Sequence, residues 1–259
     1  MSVVLACAWQ PRGEMQRFER YFSRLQTIYD NIVVAVQAGE PGTPETVALL
    51  DKFGVPHRPY ANWSGRHTTV KLALETGADY IHYVDMDRLV RWIELRPDEL
   101  AQIVERLQTV DSLIIGRTPA AYATHSRTLV ETEALPNAFF SHYLGRKMDF
   151  SAGSRSLSRQ AAELVLRCSP GENALVMDAG WAVLVHRAGL AWDYVEVEGL
   201  DWETADRYRD AAADSVIQRA LAVQHDADPK QWDWRVRVVA QGITMLGLAA
   251  IQEDLDGFK

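Results

Sequence analysis

The chain has 259 residues, of which 47% are hydrophobic and 24% are charged, and its 27 basic and 35 acidic residues give a formal charge of −8. These values are typical of one large or two small globular domains, and the acidic balance argues against a nucleic-acid backbone as the main partner. Its two cysteines are too few for a disulfide framework or a zinc cluster.

Two kinds of hydrophobic pattern alternate along the first half of the chain. Apolar runs predict buried strands at 2–9, 31–38, 80–84 and 111–116, with a short strand near 55–60. Helix-like stretches lie between them, at about 14–27, 43–53, 66–76 and 97–108. This order predicts an α/β fold with a mostly parallel sheet and helices on both faces.

The second half of the chain is less regular. From 117 to 149 the periodicity fades, which favours a long substrate-binding segment without clear structure, with hidden short helices as the alternative. Further elements are predicted after it: a turn at 151–156, a helix near 158–168, a strand–helix pattern through 191–203, and terminal helices at 204–223 and 233–255. We interpret the chain as one domain over 1–203 with a helical C-terminal appendage over 204–259.

Two aspartates separated by one residue, Asp85 and Asp87, end the predicted strand 80–84. Like charges this close repel each other, whereas a divalent cation between them would make the pair favourable. In open sheets of this kind, ligands bind beyond the carboxyl ends of the strands. Because side chains alternate along a strand, both carboxylates can face the same side. Their hard oxygens suit Mg²⁺ or Mn²⁺ and leave positions for phosphate oxygens.

Three segments resemble the nucleotide-sugar-dependent glycosyltransferases with a single GT-A-type domain: DYIHYVDMD at 79–87, SAGSRSLSRQAAELVL at 151–166 and VMDAGWAVLVHRAGLAWDYVEVEG at 176–199. The chain is similar to family 2 of these enzymes and, more loosely, to mannosylglycerate-synthase-like transferases. The resemblance implies a transferase domain over 1–203, with a nucleotide-binding half at 1–116 and an acceptor half at 117–203.

The resemblance also implies site residues. Asp85 and Asp87 would hold the metal on the donor diphosphate, with Asp201, or alternatively Glu203, as a third ligand. Asp178 would be the catalytic carboxylate that orients the acceptor hydroxyl or takes its proton. The remaining candidates for contact with the nucleotide-sugar, together with Asp85, are Trp9, Gln37, Arg66, Lys71, Gly153 and Arg155. Gln37 stands where many relatives carry acids that bind the base.

Several of these residues have plain structural interpretations as well. Asp178 is equally suited to capping a helix. Arg66 and Lys71 are compatible with solvated helix charges, and Arg155 with a turn. The other aromatic and histidine candidates are better explained by packing: His82, Trp181 and Trp192 in the core, and Trp232 and Trp234 in docking the last helix.

The predicted function is transfer of a sugar from a nucleotide-diphosphate donor to an unidentified acceptor hydroxyl, dependent on Mn²⁺ or Mg²⁺. The alternative that the protein binds a nucleotide without catalysing a reaction stays open. An aspartyl-nucleophile phosphatase is less favoured, because such enzymes carry their Asp-x-Asp motif on the first strand and this chain carries it after a later one. A nucleotidyltransferase is also less favoured, because such enzymes need a glycine-rich first loop and this chain has only Gly13 there.

No segment reaches the roughly 18–20 apolar residues that cross a membrane, and no secretory signal is recognisable, so a cytoplasmic protein is expected. The expected partners are the donor and the acceptor, with no nucleic acid. The apolar face of 236–251 is also suited to a homo-oligomer through the C-terminal helices.

Overall fold

The computed structural model describes residues 1–169 and 174–245. Seven strands form one sheet: β1 Val3–Trp9, β2 Asn31–Gln37, β3 His57–Tyr60, β4 Tyr80–Val84, β5 Ser112–Arg117, β6 Ser154–Ser158 and β7 Trp192–Val197. Their order across the sheet is β3-β2-β1-β4-β6-β5-β7. Neighbouring strands run parallel, except that β6 is antiparallel to both β4 and β5. The predicted mixed, mostly parallel sheet is therefore confirmed.

Helices connect the strands and extend the chain beyond β7. They are α1 Met15–Ile28, α2 Thr43–Lys52, α3 Gly65–Glu75, α4 Met86–Leu95, α5 Pro97–Arg106, α6 Pro119–Tyr122, α7 Arg127–Tyr143, α8 Arg159–Cys168, α9 Ala174–Arg187, α10 Ser215–Ala227 and α11 Pro229–Met245. A 3-10 turn, Glu203–Asp206, lies between β7 and α10. None of the helices in the described residues is long and apolar enough to span a membrane.

The core lies on both faces of the sheet, as alternation along β1 shows. Leu5 and Cys7 belong to a buried cluster with side chains of α1, α4 and α5. Val4 and Ala6 belong to a second cluster with side chains of α3, α8 and α9. Consecutive residues of a strand point to opposite faces, so a strand that is apolar at every position is covered by helices on both sides. This confirms the predicted layers.

The predicted lack of structure over 117–149 is wrong, because α6 and α7 occupy most of this segment. The apolar period is weak since α7 buries polar residues together with apolar ones. Glu133 is 2% exposed and accepts hydrogen bonds from Arg117 Nη2 at 2.6 Å and Arg235 Nη2 at 2.7 Å. Paired charge thus replaces part of the apolar face that sequence patterns detect.

The predicted turn at 151–156 is wrong in its second half, where β6 begins at Ser154. This strand is polar yet wholly buried, because its hydroxyl groups bond to neighbouring strands. Ser154 Oγ lies 3.1 Å from His82 Nε2, and Tyr29 Oη lies 2.7 Å from His82 Nδ1. Burial lowers the pKa of His82 to about 3. His82 is therefore a neutral, hydrogen-bonded core histidine, as expected.

The C-terminal helices begin at other places than predicted. The helix expected over 204–223 starts only at Ser215, after the 3-10 turn, and the helix expected over 233–255 already starts at Pro229. The part of the prediction beyond residue 245, including most of the apolar face over 236–251, lies outside the described residues. Within them, α11 packs against α7 and α9.

Candidate active site

A cleft of about 1260 Å³ opens beside the carboxyl ends of β1, β2, β3 and β4. Its wall combines the ends of these strands with the start of α4, the 3-10 turn and side chains of α10 and α11. Parallel strands bring their carboxyl ends to the same edge of the sheet, which is where this fold class binds ligands. Five predicted site residues line the cleft, namely Gln37, Arg66, Asp85, Asp87 and the alternative third ligand Glu203.

Asp85 is the N-cap residue of α4, directly after β4. Its carboxylate accepts hydrogen bonds from the Tyr83 hydroxyl and from Arg66 Nη2 at 3.1 Å, and Arg88 Nη1 lies 3.7 Å away. Burial alone would raise the pKa of Asp85, but the two guanidiniums lower it on balance. Asp85 is therefore a charged carboxylate whose oxygens already have partners.

Asp87 lies in the first turn of α4 and has a different environment. Burial, followed by the charges of Glu203 and Asp85, raises its pKa to about 6. The strand alternation expected for Asp85 and Asp87 is wrong, because α4 begins between them. Met86 still points away from the cleft, into the core. In its position on the helix, the Asp87 carboxyl lies close to the negative charges of Glu203 and Asp85.

Glu203 begins the 3-10 turn after β7 and completes this group of carboxylates. It is 5% exposed, and Arg88 Nε lies 3.6 Å from its Oε1 atom. Its Oε2 atom has no hydrogen-bond partner among the described residues. His125 Nε2 lies 4.0 Å from this oxygen, and burial lowers the pKa of His125 well below its usual value, so this histidine is neutral.

A divalent cation fits this donor set. Carboxylate oxygens are the hard ligands that Mg²⁺ and Mn²⁺ prefer. The Glu203 Oε2 atom has no hydrogen-bond partner among the described residues, and the charges of Glu203 and Asp85 help to raise the pKa of Asp87, so a cation here would be favourable. No group of three or more His, Cys, Asp or Glu side chains suited to a metal occurs within residues 1–169 and 174–245. Asp87 and Glu203 would therefore share the ion with water and phosphate oxygens, as is usual for Mg²⁺.

Asp201, the first candidate for a third ligand, is not brought to the cleft. Its oxygens accept hydrogen bonds from Arg91 Nε and Nη2, each at 2.6 Å, and from Gln218 Nε2 at 3.1 Å. The carboxylate thus ties α4 to α10. Glu203, the alternative two residues later, is the one that lines the cleft.

Asp178 lies in α9 and is 5% exposed, below the cleft surface. Arg66 Nη1 and Arg155 Nη2 both donate to its Oδ1 atom. Arg155 is itself buried on β6 and does not reach the cleft. The three side chains form an ion cluster that holds Arg66 against Asp85, and Asp178 does not line the cleft.

Trp9 and Lys71 also lie outside the cleft wall. Trp9 is fully buried because β1 directs it toward α1, where it packs on Phe18 with ring centroids 5.1 Å apart and donates to Glu14 Oε2 at 3.2 Å. Lys71 is exposed on α3. The Lys71 ammonium is therefore a solvated helix charge, which is the structural alternative given for it from the sequence.

Gly153 shapes the site without lining it. Its φ angle is +65°, and an added Cβ atom would lie 2.0 Å from Arg88 Nη1 and 2.5 Å from Asp85 Oδ2. Only glycine allows this backbone to come so close to the two side chains. Gly153, which was predicted to contact the donor sugar, therefore lets the backbone pack directly against the Asp85 side chain.

Two arginines that sequence reasoning missed, Arg12 and Arg207, line the cleft beside the carboxylates. The Arg12 guanidinium donates to Gln10 Oε1, and neither arginine forms a salt bridge with a described residue. Partial burial and the charge of Arg12 lower the pKa of Arg207. Tyr208 N donates to Arg12 O at 2.9 Å, so the two loops are joined. These cations repel each other, and an anion between them would be favourable.

Comparison with known proteins identifies the fold. No family model and no curated protein matches the chain. A crystal structure of a mycobacterial protein is similar with a TM-score of 0.52 at 16% identity, covering 75% of this chain and 65% of that one, so the chain spans just under two thirds of it.

The chain is also similar to glucosyl-3-phosphoglycerate synthase from Mycobacterium tuberculosis, with a TM-score of 0.51 at 14% identity, covering 87% of this chain and 80% of that one. The complex of that enzyme with Mn²⁺, UDP and glucosyl-3-phosphoglycerate gives a TM-score of 0.50 at 11% identity, over 92% and 80%. The chain therefore has the GT-A-type fold of the nucleotide-diphospho-sugar transferases.

Proposed function

We propose that this chain is a glycosyltransferase that moves a sugar from a nucleoside-diphosphate donor to an acceptor hydroxyl with Mn²⁺ or Mg²⁺. One observation carries the proposal: Asp87, with its raised pKa, and Glu203, with one unbonded oxygen, line the same cleft as Arg12 and Arg207, which form no salt bridge with a described residue, at the ligand-binding edge of the sheet. A metal diphosphate would bring a cation to the carboxylates and an anion to the arginines at once. The similarity to an enzyme crystallised with Mn²⁺ and UDP supports the same function.

The side chains have separate tasks in this reaction. The cation, when bound at Asp87 and Glu203, would neutralise charge that develops on the diphosphate as the anomeric bond breaks. Arg12 and Arg207 would add fixed positive charge to the leaving group. Asp85, held in place by Arg66, would accept a hydrogen bond from a hydroxyl of the donor sugar.

The nucleoside would occupy the part of the cleft formed by residues 1–116. Tyr60 Oη donates to Gln37 Oε1 at 3.3 Å, which leaves the Gln37 amide N–H groups available to a base edge. The acceptor would lie toward the later elements, so that the two halves of the chain contribute different subsites.

Thermal shifts test the proposal. Unfolding temperatures are measured with UDP, GDP, ADP and CDP, each with and without Mn²⁺. We expect one nucleotide and the metal together to stabilise more than the sum of their separate effects, since each completes the other's site. Asp87→Ala should abolish this synergy.

Asp98→Asn is the matched control, because Asp98 also lies in the first turn of a helix, α5, with its side chain 92% exposed. It should shift as wild type does. A nucleotide shift independent of metal would point instead to a binding module, and no shift with any nucleotide would refute the transferase.

A further inference from the structure

Helix α11 presents one polar and aromatic face to the cleft. Gln231, Trp234, Arg235 and Gln241 all line it. Their spacing of three, four and ten residues places them on the same side of a helix. Sequence patterns assigned Trp234 to docking this helix, yet the structure leaves it at the cleft.

Two tryptophans meet at this wall. Trp234 is 46% exposed and Trp63, in the loop before α3, is 43% exposed. Their rings are stacked, with centroids 6.3 Å apart and planes inclined by 25°. Each indole keeps an uncovered surface although it touches the other. Large exposed aromatic surface is unfavourable in water and marks a place where a ligand binds.

The same wall carries little net charge. Arg235 is its cation, and its Nη2 atom lies 2.7 Å from Glu133 Oε1, which neutralises it within the protein. Gln231 and Gln241 offer uncharged amides, and Leu129 adds apolar surface. Arg12 and Arg207, which form no salt bridge with a described residue, lie instead on the side of Asp87 and Glu203, where the donor diphosphate is proposed to bind.

We propose that the acceptor is an uncharged pyranoside whose ring packs against Trp63 and Trp234 and whose hydroxyls bond to Gln231 and Gln241. A sugar ring combines an apolar C–H face with hydroxyls at its edge, which matches an aromatic surface flanked by amides. Among the described residues, this wall offers a carboxylate or phosphate acceptor no cation without a carboxylate partner. This inference rests on the proposed function.

The transfer is balanced without a further reactant. The acceptor oxygen forms a bond to the anomeric carbon as the bond from that carbon to the diphosphate oxygen breaks. The nucleoside diphosphate leaves with the electron pair, and the hydroxyl proton passes to solvent.

The experiment compares two classes of acceptor. UDP-glucose, UDP-galactose, GDP-mannose and ADP-glucose are screened as donors with Mn²⁺, and release of the nucleoside diphosphate is followed. The acceptor probes are the methyl α- and β-pyranosides of glucose, galactose and mannose, with glycerate and 3-phosphoglycerate as the anionic class. We expect a pyranoside to accelerate release and the anions to have no such effect.

Variants then locate the subsite. Trp234→Ala and Trp63→Ala should each raise the KM for the pyranoside by about tenfold while the donor KM stays within about twofold. Trp232→Phe is the matched control, because Trp232 lies on the same helix but donates to Asp226 O at 2.9 Å outside the cleft. Its KM values should equal those of wild type.

Acceleration by anions alone, or unchanged pyranoside KM values in both tryptophan variants, overturns the inference while the proposed function stands. Turnover of a donor that no pyranoside accelerates overturns it as well. If no donor is consumed and no nucleotide binds with metal, the proposed function fails, and the inference fails with it.

Discussion

Replacing Asp87 by asparagine should make the metal-free protein more stable at neutral pH. The pKa of Asp87 is raised from 3.8 to about 6 by burial and by the charges of Glu203 and Asp85. Because the folded-state value lies above the unfolded one, the protonated form favours folding. This contribution is complete below about pH 4 and is lost as the pH rises through about 6. At about 1.4 kcal/mol per pKa unit, an ionised Asp87 costs up to about 3 kcal/mol at pH 7.5.

Urea unfolding in EDTA measures the effect. Asp87→Asn should raise the free energy of unfolding by about 1–3 kcal/mol at pH 7.5, and the gain should shrink toward pH 4.5, where wild-type Asp87 is protonated. Asp98→Asn should stay within about 0.5 kcal/mol of wild type. With Mn²⁺ and the bound nucleotide the order should reverse, since only wild type gains from the metal. An asparagine variant that is less stable than wild type in EDTA at pH 7.5 would refute the electrostatic reasoning.

Glu203→Gln should remove the metal–nucleotide synergy in thermal shifts, whereas Asp201→Asn should keep it. Asp201→Asn should instead lower the free energy of unfolding by about 1–3 kcal/mol, because it weakens the pairing with Arg91. If Asp201→Asn removed the synergy and Glu203→Gln kept it, Asp201 would be the metal ligand. Arg207→Ala should weaken binding of the nucleoside diphosphate by about tenfold, measured by calorimetry with Mn²⁺, while the affinity for the nucleoside alone stays constant. Equal losses for nucleoside and nucleoside diphosphate would show that Arg207 does not contact the phosphates.

Most of the sheet could be predicted because β1, β2, β4 and β5 are apolar at most positions, which is typical of parallel strands covered by helices on both faces. Helix α4 escaped prediction although its pattern is present, with Met86, Leu89, Val90 and Ile93 at helical spacing and buried. Only one residue, the N-cap Asp85, separates it from β4, and the two aspartates were interpreted as the alternating end of the strand instead. The missing boundary is what misplaced Asp87 on a strand.

The tryptophans show the limit of local reasoning. Trp9 was expected to flank a nucleotide, but the buried Glu14 carboxylate takes its indole N–H, and that contact depends on where α1 packs. Trp63 and Trp234 lie far apart in the chain and meet only because α11 docks against α7 and α9. Burial of an aromatic residue is decided by such long-range packing, for which a single sequence carries no signal.

The two aspartates of the motif differ more than their spacing suggests. Asp85 lies against two arginines and keeps its charge, whereas Asp87 lies against two carboxylates and holds its proton up to about pH 6. A cation gains most where negative charge is least compensated, which favours Asp87 and Glu203 over the adjacent pair. The metal would therefore join the end of β4 to the turn after β7, and its binding would tie the nucleotide-binding strands to the segment that leads into the acceptor wall. A metal-dependent slowing of amide exchange in residues 203–207, absent in Asp87→Asn, would be the direct sign of that link.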